Sequence, residues 1–206
     1  MKRQPLCASW DTACVNAPRN FTMPHKPTES ELKAALHKKV PDILAPNLRV
    51  LFCGINPGVY SAAVGHHFAR PGNRFWPALH AGGFTDRLLT PDEDRDLLKL
   101  GCGLTNIVER TTASAKELSK DELLNGALRL SRKVEKYQPH VLAILGIGAF
   151  RIIFQQPRAT LGQQPERCGG IHLWVLPNPS GLNAHYSLPN LAAQFRDLLD
   201  FTMNLR

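Results

Sequence analysis

In Leu51-Phe52-Cys53-Gly54-Ile55-Asn56-Pro57-Gly58-Val59 an apolar run of the kind found in buried strands meets a tight turn. Pro57 has no N–H to donate to a sheet ladder and Gly58 tolerates positive φ, so the strand has to stop and the chain has to leave the sheet. Asn56 then stands at the carboxyl end of that strand, the edge where open α/β sheets bind ligands. Alone, an Asn-Pro-Gly is more often a mere turn former. A second stretch, Leu173-Trp174-Val175-Leu176-Pro177-Asn178-Pro179-Ser180-Gly181-Leu182, repeats the plan. Two proline-stiffened polar loops at strand ends can face each other across one cleft.

The segments between and around these stretches alternate in period. Thr28-Glu29-Ser30-Glu31 reads as a capping box opening a short helix, with Leu32, Ala35 and Leu36 on one face and Pro41 as its stop. A strand is expected from Leu48 to Cys53, then a long loop to Pro71. Asn73-Arg74-Phe75-Trp76 starts a helix that ends at Gly82-Gly83. Thr90-Pro91-Asp92-Glu93 predicts a helix from Pro91 to about Leu100, and Leu104 to Val108 a short strand. Ser119-Lys120-Asp121-Glu122 caps a third helix, whose Leu123, Ala127, Leu130 and Val134 share one face. Val141 to Leu145 is apolar throughout, as in a parallel sheet covered on both sides. A helix around Gly148 to Phe154, a loop containing Pro and Gln, a strand from Ile171 to Leu176 and a last helix from about Leu188 complete the chain. Strands alternating with helices predict a three-layer α/β/α sandwich with a short, mainly parallel central sheet.

With 206 residues, 43% of them hydrophobic, the chain can bury one sizeable core, and residues 28–206 are read as a single domain. Residues 1–27 mix four prolines with Cys7, Cys14 and Trp10 without any period and read as a mobile tail of charge +3. A transit peptide or an overcalled start codon are alternatives for it. The formal net charge of +8 favours an anionic partner, nucleic acid before membrane. No apolar run approaches the ~20 residues that cross a bilayer, and no signal-peptide core is present, so a soluble, cytoplasmic protein is expected. Five cysteines, at 7, 14, 53, 102 and 168, make neither a disulfide framework nor a zinc pattern, so free thiols, no metal and no cofactor are expected.

Taken together, Gly54-Ile55-Asn56-Pro57-Gly58 and Asn178-Pro179-Ser180-Gly181 resemble the two signature motifs of the uracil-DNA glycosylase superfamily, in its mismatch-specific and thymine-DNA glycosylase branch. Asp42-Ile43-Leu44-Ala45-Pro46, Phe68-Ala69, Pro71, Asn73-Arg74-Phe75-Trp76, Ala81-Gly82-Gly83-Phe84-Thr85, Tyr137-Gln138-Pro139 and Leu142-Ala143-Ile144-Leu145-Gly146 resemble the bacterial mismatch-specific enzymes in the same order. The resemblance runs from Pro41 to the C-terminus. It implies a monomeric, monofunctional enzyme without a cofactor. Its substrate would be double-stranded DNA, from which it flips out and hydrolytically removes uracil opposite guanine, with etheno-cytosine and, weakly, thymine as further substrates.

The resemblance also assigns roles. Asn56 holds the attacking water; Phe68 stacks on the flipped base, and backbone amides near Ile55 and Phe68 bond its edge. Ser61 lies beside the pyrimidine C5 atom, and Tyr60 departs from the small residue common at its position. Asn178 also belongs to the base pocket. Pro179, Ser180, Gly181, Leu182 and Asn183 form the element that enters the duplex, with Leu182 as wedge and Ser180 a phosphate ligand. His185 is either a DNA contact or an ordinary loop histidine, at a place where the family often has Arg. Asn106 stands where a bacterial relative has lysine. A carboxylate among Asp92, Glu93, Asp94 and Asp96 is either a helper for Asn56 or an acidic first turn favoured by the helix dipole. Phe75 and Trp76 pack, Asn73 caps, and Arg74 is free to meet a phosphate. Two other readings compete: a nucleotide-binding enzyme, which the missing glycine spacing disfavours, and a non-catalytic binder of damaged DNA with the same fold.

Overall fold

The computed structural model describes residues 26–183 and 185–205. Most of the proposed tail, residues 1–25, lies outside them; Pro27 is already buried. The elements are α1 (Glu29–Ala34), β1 (Val50–Gly54), α2 (Val59–Val64), α3 (Phe75–Ala81), β2 (Cys102–Asn106), α4 (Lys120–Tyr137), β3 (Val141–Leu145), α5 (Ile147–Ile153), β4 (Gly162–Cys168), β5 (Ile171–Leu176) and α6 (Leu188–Met203). Five strands form one sheet in the order β2-β1-β3-β5-β4, parallel except for β4, which pairs antiparallel with β5 at the edge.

Alternation along the strands divides the core in two. Val50, Phe52, Ala143, Leu145, Trp174 and Leu176 point to one face, where Phe75 and Leu79 of α3 and Leu191, Phe195 and Leu198 of α6 cover them. Leu51, Cys53, Leu142, Ile144, Leu173 and Val175 point to the other, under Leu130 and Val134 of α4 and Phe150 of α5. This is the three-layer α/β/α arrangement expected from the sequence. Phe52 stacks on Phe195 and meets Phe75 and Phe84 edge-on, with centroids 5.4–5.8 Å apart. Opening a cavity there by Phe→Ala would cost about 3–5 kcal/mol.

Several local expectations change. Thr28 does form its capping box, but α1 tightens into a 3₁₀ turn at Ala35–His37 and leaves Leu36 exposed. The segment Pro91–Leu100, expected as an ordinary helix, is 3₁₀; its capping box and its left-handed stop at Gly101 are both present. The first strand starts at Val50, and β2 starts at Cys102, two residues before its predicted start. The expected loop before Pro71 contains α2, and the loop containing Pro and Gln contains β4. Among the described residues no helix is long and apolar enough to cross a membrane.

Candidate active site

Because β1, β2, β3 and β5 run in one direction, their carboxyl ends meet at one edge, and a cleft of about 420 Å³ opens there. Ile55 and Asn56 enter it from β1, Asn106 from β2, Leu145 from β3, and Asn178 from the loop after β5.

Asn56 has its side chain fixed by the segment after β2. Its Nδ2 donates to the Arg110 carbonyl (2.9 Å) and to Thr112 Oγ1 (2.7 Å), with a longer contact to the Pro57 carbonyl (3.2 Å). A backbone carbonyl can only accept, so the atom facing Arg110 has to be the NH₂ group, which settles the orientation of the amide. Thr112 spends its own hydroxyl proton on the Ser114 carbonyl (2.9 Å) and therefore offers Asn56 a lone pair. Its N–H also bonds the Pro57 carbonyl (3.2 Å), tying the two loops together. Both amide protons of Asn56 are thus consumed. Its Oδ1, which accepts no hydrogen bond from the described residues and is not sealed from solvent, is left to the cleft.

The opposite wall is the strap His66–Arg70. Phe68 stacks on Phe75 of α3 (centroids 4.2 Å apart, 21° between planes), and its backbone is held at φ 54. For a non-glycine residue that left-handed conformation costs roughly 1–3 kcal/mol and persists only where the surroundings impose it. Ser61 accepts the Ala69 N–H (3.0 Å), Asp94 accepts the His67 N–H (3.4 Å) and His66 Nδ1 (3.1 Å), and Trp76 donates to the His67 carbonyl (3.2 Å). His67 lines the cleft while almost wholly buried, with Nε2 on the Pro41 carbonyl (3.0 Å), which requires the proton on that nitrogen. Burial holds its pKa below the ordinary histidine value, so the ring is neutral near pH 7. The Phe68 N–H bonds no acceptor among the described residues.

In the cleft Asn106 is 7% exposed, yet its amide has no hydrogen-bond partner among the described residues. It leans over Gly54, where a Cβ would lie 2.5 Å from its Oδ1, so any larger residue at that strand end would push the Asn106 amide aside.

The loop after β5 is organised by Arg74. Its Nη2 donates to the carbonyls of Ser180 (2.8 Å) and Asn183 (2.6 Å), its Nη1 to that of Tyr186, and its backbone N–H to that of Pro179 (3.0 Å). This corrects the sequence reading of Arg74 as a phosphate ligand. Its guanidinium is committed to the protein's own backbone. Within the loop Asn178 Oδ1 accepts the Ser180 N–H (2.9 Å), and the Asn183 amide bonds the Asn178 carbonyl (2.9 Å). Gly181 passes so close to the turn that follows the strap that an added Cβ would sit 2.6 Å from the Gly72 carbonyl. Leu182, at the tip, is 68% exposed.

Ile55, Asn56, Ser61, Phe68, Asn178, Pro179, Ser180, Leu182, Asn183 and His185 therefore line one cleft, and Gly181 abuts it through Gly72. Tyr60, on the first turn of α2, does not line it. Nor do Asp92, Glu93, Asp94 or Asp96. Glu93 caps its own 3₁₀ segment and pairs with Arg87, which pulls its pKa down to about 2; Asp94 braces the strap, and Asp96 pairs with Lys99. Asn73 caps as expected, accepting the Phe75 N–H (2.9 Å). Thr112, His67 and Lys116 are cleft residues that the sequence reading did not single out. Among the described residues no group of His, Cys, Asp and Glu has the geometry to hold a metal ion. The described cysteines are free; burial raises the Cys102 thiol to about 11 and Cys53 higher still, so neither is a ready nucleophile.

A three-layer sandwich with a polar cleft at the carboxyl edge, walled by an asparagine on one side and a strained aromatic strap on the other, defines a narrow class of α/β proteins. Residues 41–200 match the model of the uracil DNA glycosylase superfamily, and the chain belongs to that family. Its fold is similar to the solution NMR structure of a candidate uracil DNA glycosylase from Methanosarcina acetivorans, with a TM-score of 0.52 and 23% identity over 79% of this chain and 98% of that one.

Proposed function

We propose that the chain is a monofunctional DNA glycosylase, acting as a monomer, that flips uracil out of duplex DNA and hydrolyses its N-glycosidic bond, leaving an abasic site. Uracil opposite guanine is the preferred substrate, with etheno-cytosine accepted and thymine excised weakly. A stacked base presents neither its sugar face to a water nor its edge to a binding pocket, so it has to leave the helix at a cost of a few kcal/mol. A wobble pair lowers that cost, which is the physical basis for preferring mismatches.

The observation that carries the reading is the Asn56 amide, with both protons consumed and Oδ1 turned to the cleft that also contains Phe68 and Leu182. A carbonyl oxygen so placed orients a water but is too weakly basic to take its proton. Rate acceleration then rests on positioning and on stabilising the departing base as an anion. Asn106 presents a donor and an acceptor together, complementary to the edge of a pyrimidine, and the Phe68 N–H supplies a further donor. Phe68, already stacked on Phe75, offers its other face to the base. Leu182 fills the space vacated in the helix, as intercalating side chains do.

Incubation with a labelled duplex containing one uracil opposite guanine, followed by alkali, tests this. Strand scission at the uracil without added metal or cofactor is expected. Tight binding with the base retained would instead favour the non-catalytic binder. Borohydride trapping should give no covalent adduct, because Lys116, the lysine lining the cleft, lies outside both motifs.

A further inference from the structure

A nucleotide drawn out of a duplex brings its two flanking phosphates to the mouth of the pocket that receives it. Two cations stand at the mouth of this cleft without side-chain partners among the described residues. Arg70 and Lys116 both line it, both are exposed, and neither makes an ion pair or a side-chain hydrogen bond with any described residue. Other cations close by are already used: Arg74 by three carbonyls, and Arg110 by Glu122 (2.6 Å) and the Glu117 carbonyl.

The two free cations come from different sides. Lys116 follows Thr112 on the segment after β2 that grips Asn56. Arg70 follows Phe68 on the strap that leans, through Gly72, against Gly181 of the loop after β5. In the sheet order, β2 lies next to β1 on one side and β5 lies beyond β3 on the other, so Asn56 stands between the ends of the two.

We propose that Arg70 and Lys116 form a two-sided clamp on the phosphates flanking the extruded nucleotide, holding it against return to the stack; this rests on the glycosylase reading above. Both are positioning residues, since neither reaches the bond that breaks. A lysine acts as a point charge and an arginine as a fork, so the pair suits two separate phosphates.

The test uses R70Q, K116Q and the double variant on a duplex with one uracil opposite guanine, carrying either natural phosphates or methylphosphonates at the two linkages flanking the uracil. On natural DNA each single variant should bind on the order of fivefold more weakly, as expected for an exposed charge pair. Each should also flatten the dependence of log K on log salt by ~0.9, the signature of one lost phosphate contact. The double variant should show the sum of the two. On the methylphosphonate duplex all four proteins should bind alike. An equal loss on both duplexes, or an unchanged salt slope, overturns the clamp. If the wild type releases uracil and the variants do not differ from it, the clamp alone falls. If it releases none while the salt slopes change as expected, the glycosylase reading falls and the phosphate contacts stand.

Discussion

The loop after β1 and the loop after β5 share the Asn-Pro plan but are restrained in opposite ways. In the first it is the side chain of Asn56 that is held, by Arg110 and Thr112 from a neighbouring segment. In the second it is the backbone that is held, by the Arg74 guanidinium, while the side chain of Leu182 is left 68% exposed. A group that has to present one oxygen to a water needs its other atoms occupied. A group that has to enter a helix needs a firm base and a free tip.

This contrast can be broken at either end. The largest effect is expected from N56A, which should lower single-turnover excision by about 10²–10³-fold, the usual size for losing a positioned polar group at the reacting centre, and leave DNA binding nearly intact; equal cleavage by N56A and wild type would remove the central assignment. Next comes R74A, which strips three carbonyls of a half-buried cationic donor. A loss of roughly 1.5–3 kcal/mol is expected in denaturant unfolding, together with weaker duplex binding, and R74K should recover little of it because a point charge cannot replace the fork. If R74A binds mismatched DNA as tightly as wild type, the backbone of the second loop does not depend on this residue.

T112V should slow excision roughly tenfold, the value of about one hydrogen bond, with KM unchanged and T112S restoring activity. Loss of binding rather than of rate would mean that Thr112 supports the loop and not the amide. L182A should act the other way, weakening capture of the extruded base by about 1–2 kcal/mol without altering thermal unfolding, since the side chain is exposed. A changed melting temperature would show that the tip packs after all.

The smallest effect is a pH dependence of stability. Burial lowers the pKa of His67, so below about 6.5 the unfolded chain takes up a proton that the folded chain refuses. Stability should therefore be complete above the unfolded value and fall as pH drops through the folded one. Asp94 and His66 face the same strap, so the comparison should be made between wild type and H67Q in denaturant unfolding at pH 7 and 5.5. Parallel curves for the two proteins would contradict it. Glu93 acts lower, losing its contribution as pH falls from about 4.5 towards about 2.

What the sequence disclosed follows from how local each signal is. Apolar runs such as Val141 to Leu145 and Ile171 to Leu176, and the capping boxes at Thr28, Thr90 and Ser119, are written in neighbouring residues, and each marks the element found. The strand β4 was illegible because Gly162–Cys168 is a polar edge strand holding Pro165, made into a strand only by pairing with β5. Six-residue α2 is too short to display a period. Within the site, Asn56 and the Asn178 loop stood out because proline and glycine mark their turns. Thr112 did not, since its importance comes from where the segment after β2 runs beside the end of β1, and Asn106 was noticed only through the resemblance. Arg74 was misread because its partners lie more than a hundred residues away.

One short helix joins the two halves of the cleft. Arg74 at the start of α3 grips the loop that bears Leu182, and the next residue, Phe75, backs the ring of Phe68. On the proposed glycosylase reading, the tool that would part the strands and the plate that would receive what comes out are therefore mounted on a single bracket. Slack in α3 would misalign both at once, which makes this seven-residue stretch a place to tune how readily the protein interrogates DNA without touching its chemistry.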